Sequence, residues 1–543
     1  MSGLVVSGRP RGLLPLIAAL VFAALLSLSL QRTAFNYGNE TDFLGGFVPE
    51  ATRFLAGGPL AVDYHPPLYP IVLAVVYSGL GDWLRAGLVI SLLSGFVALF
   101  ASFRLFDLAH GRGAGVGAVV GLLLSLPFLT FSLLTTADAF FLALAISAPA
   151  LFASAELRNR RRHWFWGGLV VGLATLTRTN GAVLLLLLLG AGRSKRRPGG
   201  ALALAGAGVA VPLLLWLAVA VWTGSPLVPQ SNYENLALTY YSAGDRTSGD
   251  AIAKATADMD SAWDVISRNP RRIARIYVRD LTSNVQRLFV PDLLPFPLAV
   301  LAFPGLCALV VVHVPRYGWV LPATLGAMFL LLNFKAWETR YYLLFVPFMG
   351  AGIGLAVAYL RSQAVRTNRR RALAAILGIS LALATLQTGV SLRRGWWDLS
   401  MDAQDAARLL AAWGAPPGSV VIARKPHICF YSGLECGAFP NVARLEELRA
   451  SIEESAQKWP RDAKVFLFFG FAEKALRPTL ARPLHGWAQV PWLHRVGEGG
   501  ERHMRWILFE IVRESLDSEE TDTGQVDTAG QQAARRPEAA HAE

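Results

Sequence analysis

Asp42, Asp63, His65 and Asp138 can exchange protons, and Arg85, Arg178, Lys335 and Arg340 carry fixed positive charge. With Glu338, all of them sit at or near the ends of apolar runs. Ionisable groups at a membrane edge are costly unless they are solvated or working. Snorkelling and helix capping explain such residues one at a time, but a whole set on one face points to a site. Carboxylates beside cations suit the transfer of a sugar from a lipid-linked phosphate. One carboxylate takes the proton of the acceptor hydroxyl as an oxocarbenium-like transition state forms. Cations stabilise the departing phosphate, which leaves without a general acid. The lipid tail would lie in the bilayer and the phosphate at the interface, where Arg178, Lys335 and Arg340 are expected.

The elements that position these residues are membrane helices. The chain has 543 residues, 53% of them hydrophobic, and several apolar runs reach bilayer length, so it reads as an α-helical polytopic membrane protein. Its net charge of +13 falls largely in short loops, where it sets orientation, so nucleic acid is not an expected partner. Of three cysteines, Cys307 lies in an apolar run, while Cys429 and Cys436 are close together in the hydrophilic C-terminal part. Outside the cytoplasm that pair could form a disulfide; a free pair is equally consistent with the sequence.

Arginine runs at 158–162 and 193–197 flank apolar sequence interrupted by Arg178-Thr179-Asn180-Gly181. Short basic loops stay in the cytoplasm, so the chain between them goes out and returns, with Arg178 at the outer face. From this anchor, a retained first span at 13–30 leads to a first outer loop at 31–83, in which Pro66 to Leu80 is too short to cross and lies in the interface. Spans follow at 84–103, 113–132 and 136–155, then two short helices at 165–177 and 181–192, a span at 201–223 and a large outer loop at 224–295. Within that loop Ile273, Ile276, Tyr277, Leu281 and Leu288 share one helical face, which suits either the membrane surface or packing against the globular domain. Spans at 296–314, 319–334, 341–360 and 373–391 bring the count to about eleven, and parity places the arginine-rich 361–371 loop inside. Residues 1–391 thus form a transmembrane module of the plasma (inner) membrane. Residues 392–513 form a small extracytoplasmic α/β domain, with strand-like SVVIA, KVFLFFG and RWILFEIV, and 514–543 form a disordered tail.

The string DYHPPLYP at 63–70 resembles the Asp-x-His-Pro-Pro-Leu element in the first outer loop of protein O-mannosyltransferases and related bacterial enzymes of the glycosyltransferase-C superfamily. Upstream, ETDFLGGFVPEATRFLAGG is similar to that loop's acidic motif, and Asp42 matches the family's catalytic base; Phe43 stands where the usual pattern has a second acid. Leu84-Arg85 resembles the arginine-led second helix, TTADAFF the acidic outer end of the fourth helix at Asp138, and GLATLTRTNG the paired-helix turn with its basic residue. ETRYYLLFVP resembles the late Arg-Tyr element, Arg340-Tyr341, implicated in lipid phosphate binding. The resemblance runs over about 13–391 and implies a polyprenyl-phosphate-sugar donor; Asp63 is either a catalytic group or a residue that orients the loop.

By residue chemistry alone, His65 is either a cap on the interfacial helix or a catalytic or metal-binding group. Asp138 either caps its helix or works in the site. No cofactor is required, although the outer carboxylates could gather around a divalent metal; their spacing follows no diagnostic ligand pattern. A transporter or flippase of a lipid-linked saccharide is the alternative, but transporters place polar groups near the bilayer midplane, whereas here charges crowd one edge. The sugar and the extracytoplasmic acceptor (protein, glycolipid or polysaccharide) are not written in the sequence.

Overall fold

Apolar runs within a bilayer must satisfy their backbone hydrogen bonds internally, so they become helices. A computed structural model describes residues 42–62, 65–193, 198–229, 232–241, 258–335, 337–363, 367–397, 401–440, 442, 444–470, 473, 480, 487, 490–500 and 505–513. Contacts divide the chain after Ser400 into two compact units.

The first unit opens with a π-helical turn, Phe43–Phe47, leading into α1 (Val48–Leu55), α2 (Leu68–Leu80), α3 (Trp83–His110), α4 (Arg112–Leu124), α5 (Leu126–Leu133), α6 (Ala137–Leu157) and α7 (Arg162–Thr177). A 3-10 segment, Thr179–Leu187, runs into α8 (Leu188–Gly192), followed by α9 (Pro198–Thr223), α10 (Asn232–Tyr241), α11 (Ala262–Arg268), α12 (Pro270–Leu288), α13 (Leu298–Tyr317) and α14 (Val320–Leu332). A second 3-10 segment, Thr339–Phe345, continues into α15 (Val346–Gln363), and α16 (Thr367–Trp397) ends the unit.

Six described helical segments are long and apolar enough to cross a membrane, and α4 with α5 makes a seventh if the bent pair is one span. The count of about eleven is therefore not reached by length alone. The expected span at 13–30 lies outside the described residues, and α7, the 179–192 segment and α14 are helical but short. The 113–132 expectation also changes form, because the chain bends by 67° between α4 and α5. Ser125 stops α4 in an extended conformation and accepts from the Phe128 N–H to start α5, with Pro127 in its first turn. Close helix contacts rest on small residues: Gly117 and Gly354 meet Gly350 and Gly113 across α4 and α15, and Gly168 meets Ala205 across α7 and α9, with no room for a methyl group.

Helix α12 carries the apolar face expected from the sequence. Its apolar face packs within its own unit, where Ile273 joins Tyr240 and Val265 in a small core. Tyr277 Oη donates to Leu330 O at 2.9 Å, Asn333 Nδ2 donates to Tyr277 O at 2.9 Å, and the buried Asn284 donates to Asn333 Oδ1 at 2.8 Å. Tyr277, Asn284 and Asn333 thus satisfy one another where they leave water.

The second unit has the expected α/β composition. It holds α17 (Asp402–Trp413), β1 (Val420–Ala423), α18 (His427–Ser432), β2 (Glu435–Ala438), α19 (Leu445–Ala456), β3 (Val465–Phe469), β4 (Leu493–Gly499) and β5 (Trp506–Ile511). The strand order is β2-β1-β3-β5-β4, with β2, β1 and β3 parallel and β5 and β4 antiparallel to their neighbours. β3 is buried at every position, as its unbroken VFLFF requires. Cys429 and Cys436 are joined by a disulfide. The tail, 514–543, lies outside the described residues.

Candidate active site

Asp42 stands at the head of the π-helical turn, and the next side chain fixes its place. Phe43 is fully buried against α3 at Gly87, beside which Thr135 also packs. Phe47 then packs on the His65 ring at 4.5 Å and edge-on to Tyr69 at 4.7 Å, so the acidic turn and the His-Pro-Pro segment form one body. The loop between them is pinned where Leu60 N–H donates to Ser225 Oγ and Ala61 N–H to Glu50 Oε2, each at 2.8 Å. Val62 enters the motif at φ 50°, a strained backbone for a β-branched residue. Asp63 follows it and lies outside the described residues.

Asp138 occupies the first turn of α6, capped by Thr136, where a carboxylate meets the positive end of the helix dipole. It is 3% exposed, and Arg178 Nη2 lies 2.7 Å from its Oδ1. Neither Asp138 oxygen receives an aligned hydrogen bond, so the contact is an ion pair whose N–H is turned aside. Arg178 is extended at the break after α7, and Gly181 N–H closes the turn on Arg178 O at 2.8 Å. Only glycine fits at 181, because a methyl group would collide with the Ala174 carbonyl.

Lys335, Glu338, Arg340 and Tyr341 come from the link between α14 and α15. Arg340 Nη1 donates to Asp42 Oδ2 at 3.2 Å and Nη2 to Tyr341 Oη at 3.4 Å, while Nε faces Glu338 Oε2. Around the Tyr341 ring stand Arg340 Cζ at 5.1 Å, Lys335 Nζ at 5.3 Å and Arg178 Cζ at 5.4 Å from its centroid. Three cations thus share one aromatic face region, and Asp42, Asp138 and Glu338 compensate them, as cations at a membrane edge require. A small cleft is lined by Asp42, Asp138, Arg178 and Arg340 and walled by Phe43, Phe47, Thr135 and Thr136.

The electrostatics follow from this crowding. Burial by itself would raise the Asp42 carboxyl, but Arg340, His65 and Arg178 more than offset it and hold the group below its usual value. Burial pulls His65 down to about 4, assisted by Arg178, Arg340 and Lys335 against Asp42, so its imidazole is neutral near pH 7. Burial, then Arg178 and Arg340, lower Lys335 to about 8 despite Glu338 and Asp42.

Of the residues singled out in the sequence, the structure brings together Asp42, His65, Asp138, Arg178, Lys335, Arg340 and Tyr341. Arg85 is not among them: it is 69% exposed and pairs with Asp82 on the first turn of α3. Thr135 and Thr136 in the cleft wall, Gly87 behind Phe43, and Asn284 with Asn333 were not expected. Asn333 had a signal, since an amide interrupts the apolar run MFLLLNF. Among the described residues no group of three His, Cys, Asp or Glu side chains could hold a metal ion.

Residues 64–222 match the model of the dolichyl-phosphate-mannose-protein mannosyltransferase family. A search of curated proteins by sequence finds no match. Among solved structures, ArnT from Cupriavidus metallidurans is similar in its apo state, with a TM-score of 0.54 at 15% identity over 92% of this chain and 98% of that one. The same ArnT bound to undecaprenyl phosphate gives 0.53 at 12% identity with the same coverage. The oligosaccharyltransferase of Archaeoglobus fulgidus, in complex with Zn and sulfate, gives 0.52 at 14% identity over 85% of this chain and 68% of that one. At such identities the likeness is one of fold. The chain is thus similar over residues 64–222 to the protein mannosyltransferase family and, in fold, to ArnT and the oligosaccharyltransferase.

Proposed function

We propose that the protein transfers a sugar, with inversion, from a polyprenyl-phosphate-linked donor to an acceptor on the extracytoplasmic side of the plasma (inner) membrane. The observation that carries this reading is the set of three cations around Tyr341, one of which, Arg340, is bonded to Asp42. Arg340, Arg178, Lys335 and Tyr341 hold the lipid phosphate. The acceptor oxygen forms a bond to the anomeric carbon while the carbon–phosphate-oxygen bond breaks. The bonding pair leaves with the phosphate, where the cations stabilise it, and the acceptor's proton passes to Asp42. His65, neutral, is placed to hydrogen-bond the sugar or the acceptor. Asp138 positions Arg178 through their ion pair rather than taking a proton. Arg85 has no part in this reading, and no step is routed through a metal.

Orientation rests on the arginine-rich cytoplasmic loops and on the Cys429–Cys436 disulfide, since disulfides persist in oxidising compartments. The family matched over 64–222 and the undecaprenyl phosphate bound by ArnT are consistent with a polyprenyl-phosphate donor.

The test is Asp42→Asn, assayed by mass spectrometry of surface glycans and glycoproteins in cells carrying the variant or the wild type at equal membrane abundance. The product residue should disappear while the purified variant still binds undecaprenyl phosphate. Wild-type product levels would remove Asp42 from the mechanism.

A further inference from the structure

Arg340 holds its partners unevenly. Its Nε faces Glu338 closely, whereas Nη1 meets Asp42 at 3.2 Å and Nη2 meets Tyr341 at 3.4 Å. Tight charge-assisted bonds run at about 2.7–2.9 Å, so the terminal Nη1–Nη2 edge is loosely engaged. That edge can take two phosphate oxygens side by side, and it lies beside the Tyr341 ring where Arg178 and Lys335 gather. The Glu338 contact is on Nε and does not compete for it.

Resting on the lipid-phosphate reading of this site, we propose that Arg340 is an exchangeable clamp with Glu338 as its positioning residue. The donor phosphate takes over the terminal edge that holds Asp42, while Glu338 keeps Nε. Asp42 is released to act as base only when the donor is in place.

The chemistry favours this order. Asp42 faces Arg340, His65 and Arg178, with Lys335 close by, and His65 is neutral near pH 7. A carboxylate held ionised by Arg340 is a poor proton acceptor. Moving the guanidinium onto a phosphate replaces a positive neighbour by a negative one, and the carboxylate gains proton affinity when the acceptor hydroxyl must give up its proton. Donor binds first and acceptor second.

The test needs neither sugar nor acceptor. Full-length protein in lipid nanodiscs is treated near neutral pH with a carbodiimide and an amine, which modify carboxyl groups in their protonated form, with and without undecaprenyl phosphate. Peptide mass spectrometry quantifies Asp42, and native mass spectrometry records lipid binding separately. In the wild type, modification at Asp42 should rise severalfold when undecaprenyl phosphate binds. Arg340→Ala should be modified readily from the start and respond no further. Glu338→Gln leaves Arg340 with Asp42 as its remaining carboxylate partner, so resting modification should fall and more lipid should be needed; simple loosening of the site would raise it instead. Lipid binding with unchanged or reduced Asp42 modification would overturn the exchange while leaving the phosphate site standing. Failure of undecaprenyl phosphate to bind at all would overturn the reading on which the exchange rests.

Discussion

Gly87→Ala tests whether the acidic turn is placed by packing. A Cβ built at Gly87 lies 2.7 Å from Phe43 Cε2 and 2.9 Å from Thr135 Cβ, whereas ordinary contact begins near 3.4 Å. Relieving the first contact alone moves the Phe43 ring by about 0.7 Å, the difference between those distances. Phe43 is fully buried, so the ring cannot swing into solvent, and the displacement passes to the adjoining Asp42. Overpacking costs about 1–3 kcal/mol, and Ala regains about 1 kcal/mol of helix propensity over Gly. The net cost, at most about 2 kcal/mol, leaves the protein folded. Function should suffer more, because a misplacement of about 1 Å can cost on the order of a hundredfold in rate, which puts this variant at tens-fold. The assay is the surface-glycan measurement at equal membrane abundance, with Gly206→Ala as control, where nothing lies within 4 Å of an added Cβ. Undecaprenyl phosphate binding should persist, since the cations come from other segments. Wild-type transfer by Gly87→Ala would refute the claim that Phe43 sets the base.

Two further outcomes follow from charge and covalent structure. Burial, then Arg178 and Arg340, lower Lys335 to about 8, so the share of phosphate binding proposed for it is present below that pH and lost as pH rises through it, while Arg178 and Arg340 stay charged. Affinity for undecaprenyl phosphate should fall between about pH 7 and 9 in the wild type and stay flat in Lys335→Met; parallel curves would remove Lys335 from the phosphate site. Replacing both Cys429 and Cys436 by Ser opens a loop with sequence separation 7, worth about 2–3 kcal/mol by loop-closure entropy. The C-terminal unit of the full chain should then be cleaved faster by limited proteolysis, with transmembrane fragments unaffected, and equal resistance would show that the bridge adds no stability.

Much of this arrangement was legible because charge, apolar length and proline are strong local signals. The Thr177–Gly181 interruption announced a turn, and Arg178 lies in it; the apolar stretches of SVVIA, KVFLFFG and RWILFEIV form strands. What escaped depended on partners distant in sequence. β2 and β4 carry ECGA and LHRVGEG, polar edge strands without alternation, so nothing local marks them. Asp138 read equally as a helix cap or a site group, and only Arg178 at 2.7 Å gives it a partner. Arg85 shared the chemistry and the helix-end position of the others, but its side chain pairs with Asp82, a residue three positions away. Gly87 is one glycine in an apolar helix until Phe43 is seen against it.

If the proposed function holds, the short helices explain why cations occur where a lipid phosphate can reach them. α14 has 13 residues, about 20 Å of helix, whereas the hydrocarbon core is about 30 Å thick. In the proposed orientation, a helix that starts at the cytoplasmic interface stops about 10 Å short of the outer one, which puts the Asn333–Lys335 end below the surface. Cations at that depth persist because Asp42, Asp138 and Glu338 neutralise them and because Asn333 is held by Tyr277 and Asn284. On the proposed function, a phosphate on a polyprenyl chain would reach such a site from within the bilayer, a route a free sugar phosphate in water does not share. Lengthening α14 by four residues after Gly326 would raise Lys335 by about 6 Å toward the surface. Membrane insertion should survive and undecaprenyl phosphate binding should be lost. The same insertion after Gly378 in α16, where an added Cβ meets nothing within 4 Å, should retain binding. Binding that tolerates the longer α14 would mean that helix length does not set the depth of the phosphate site.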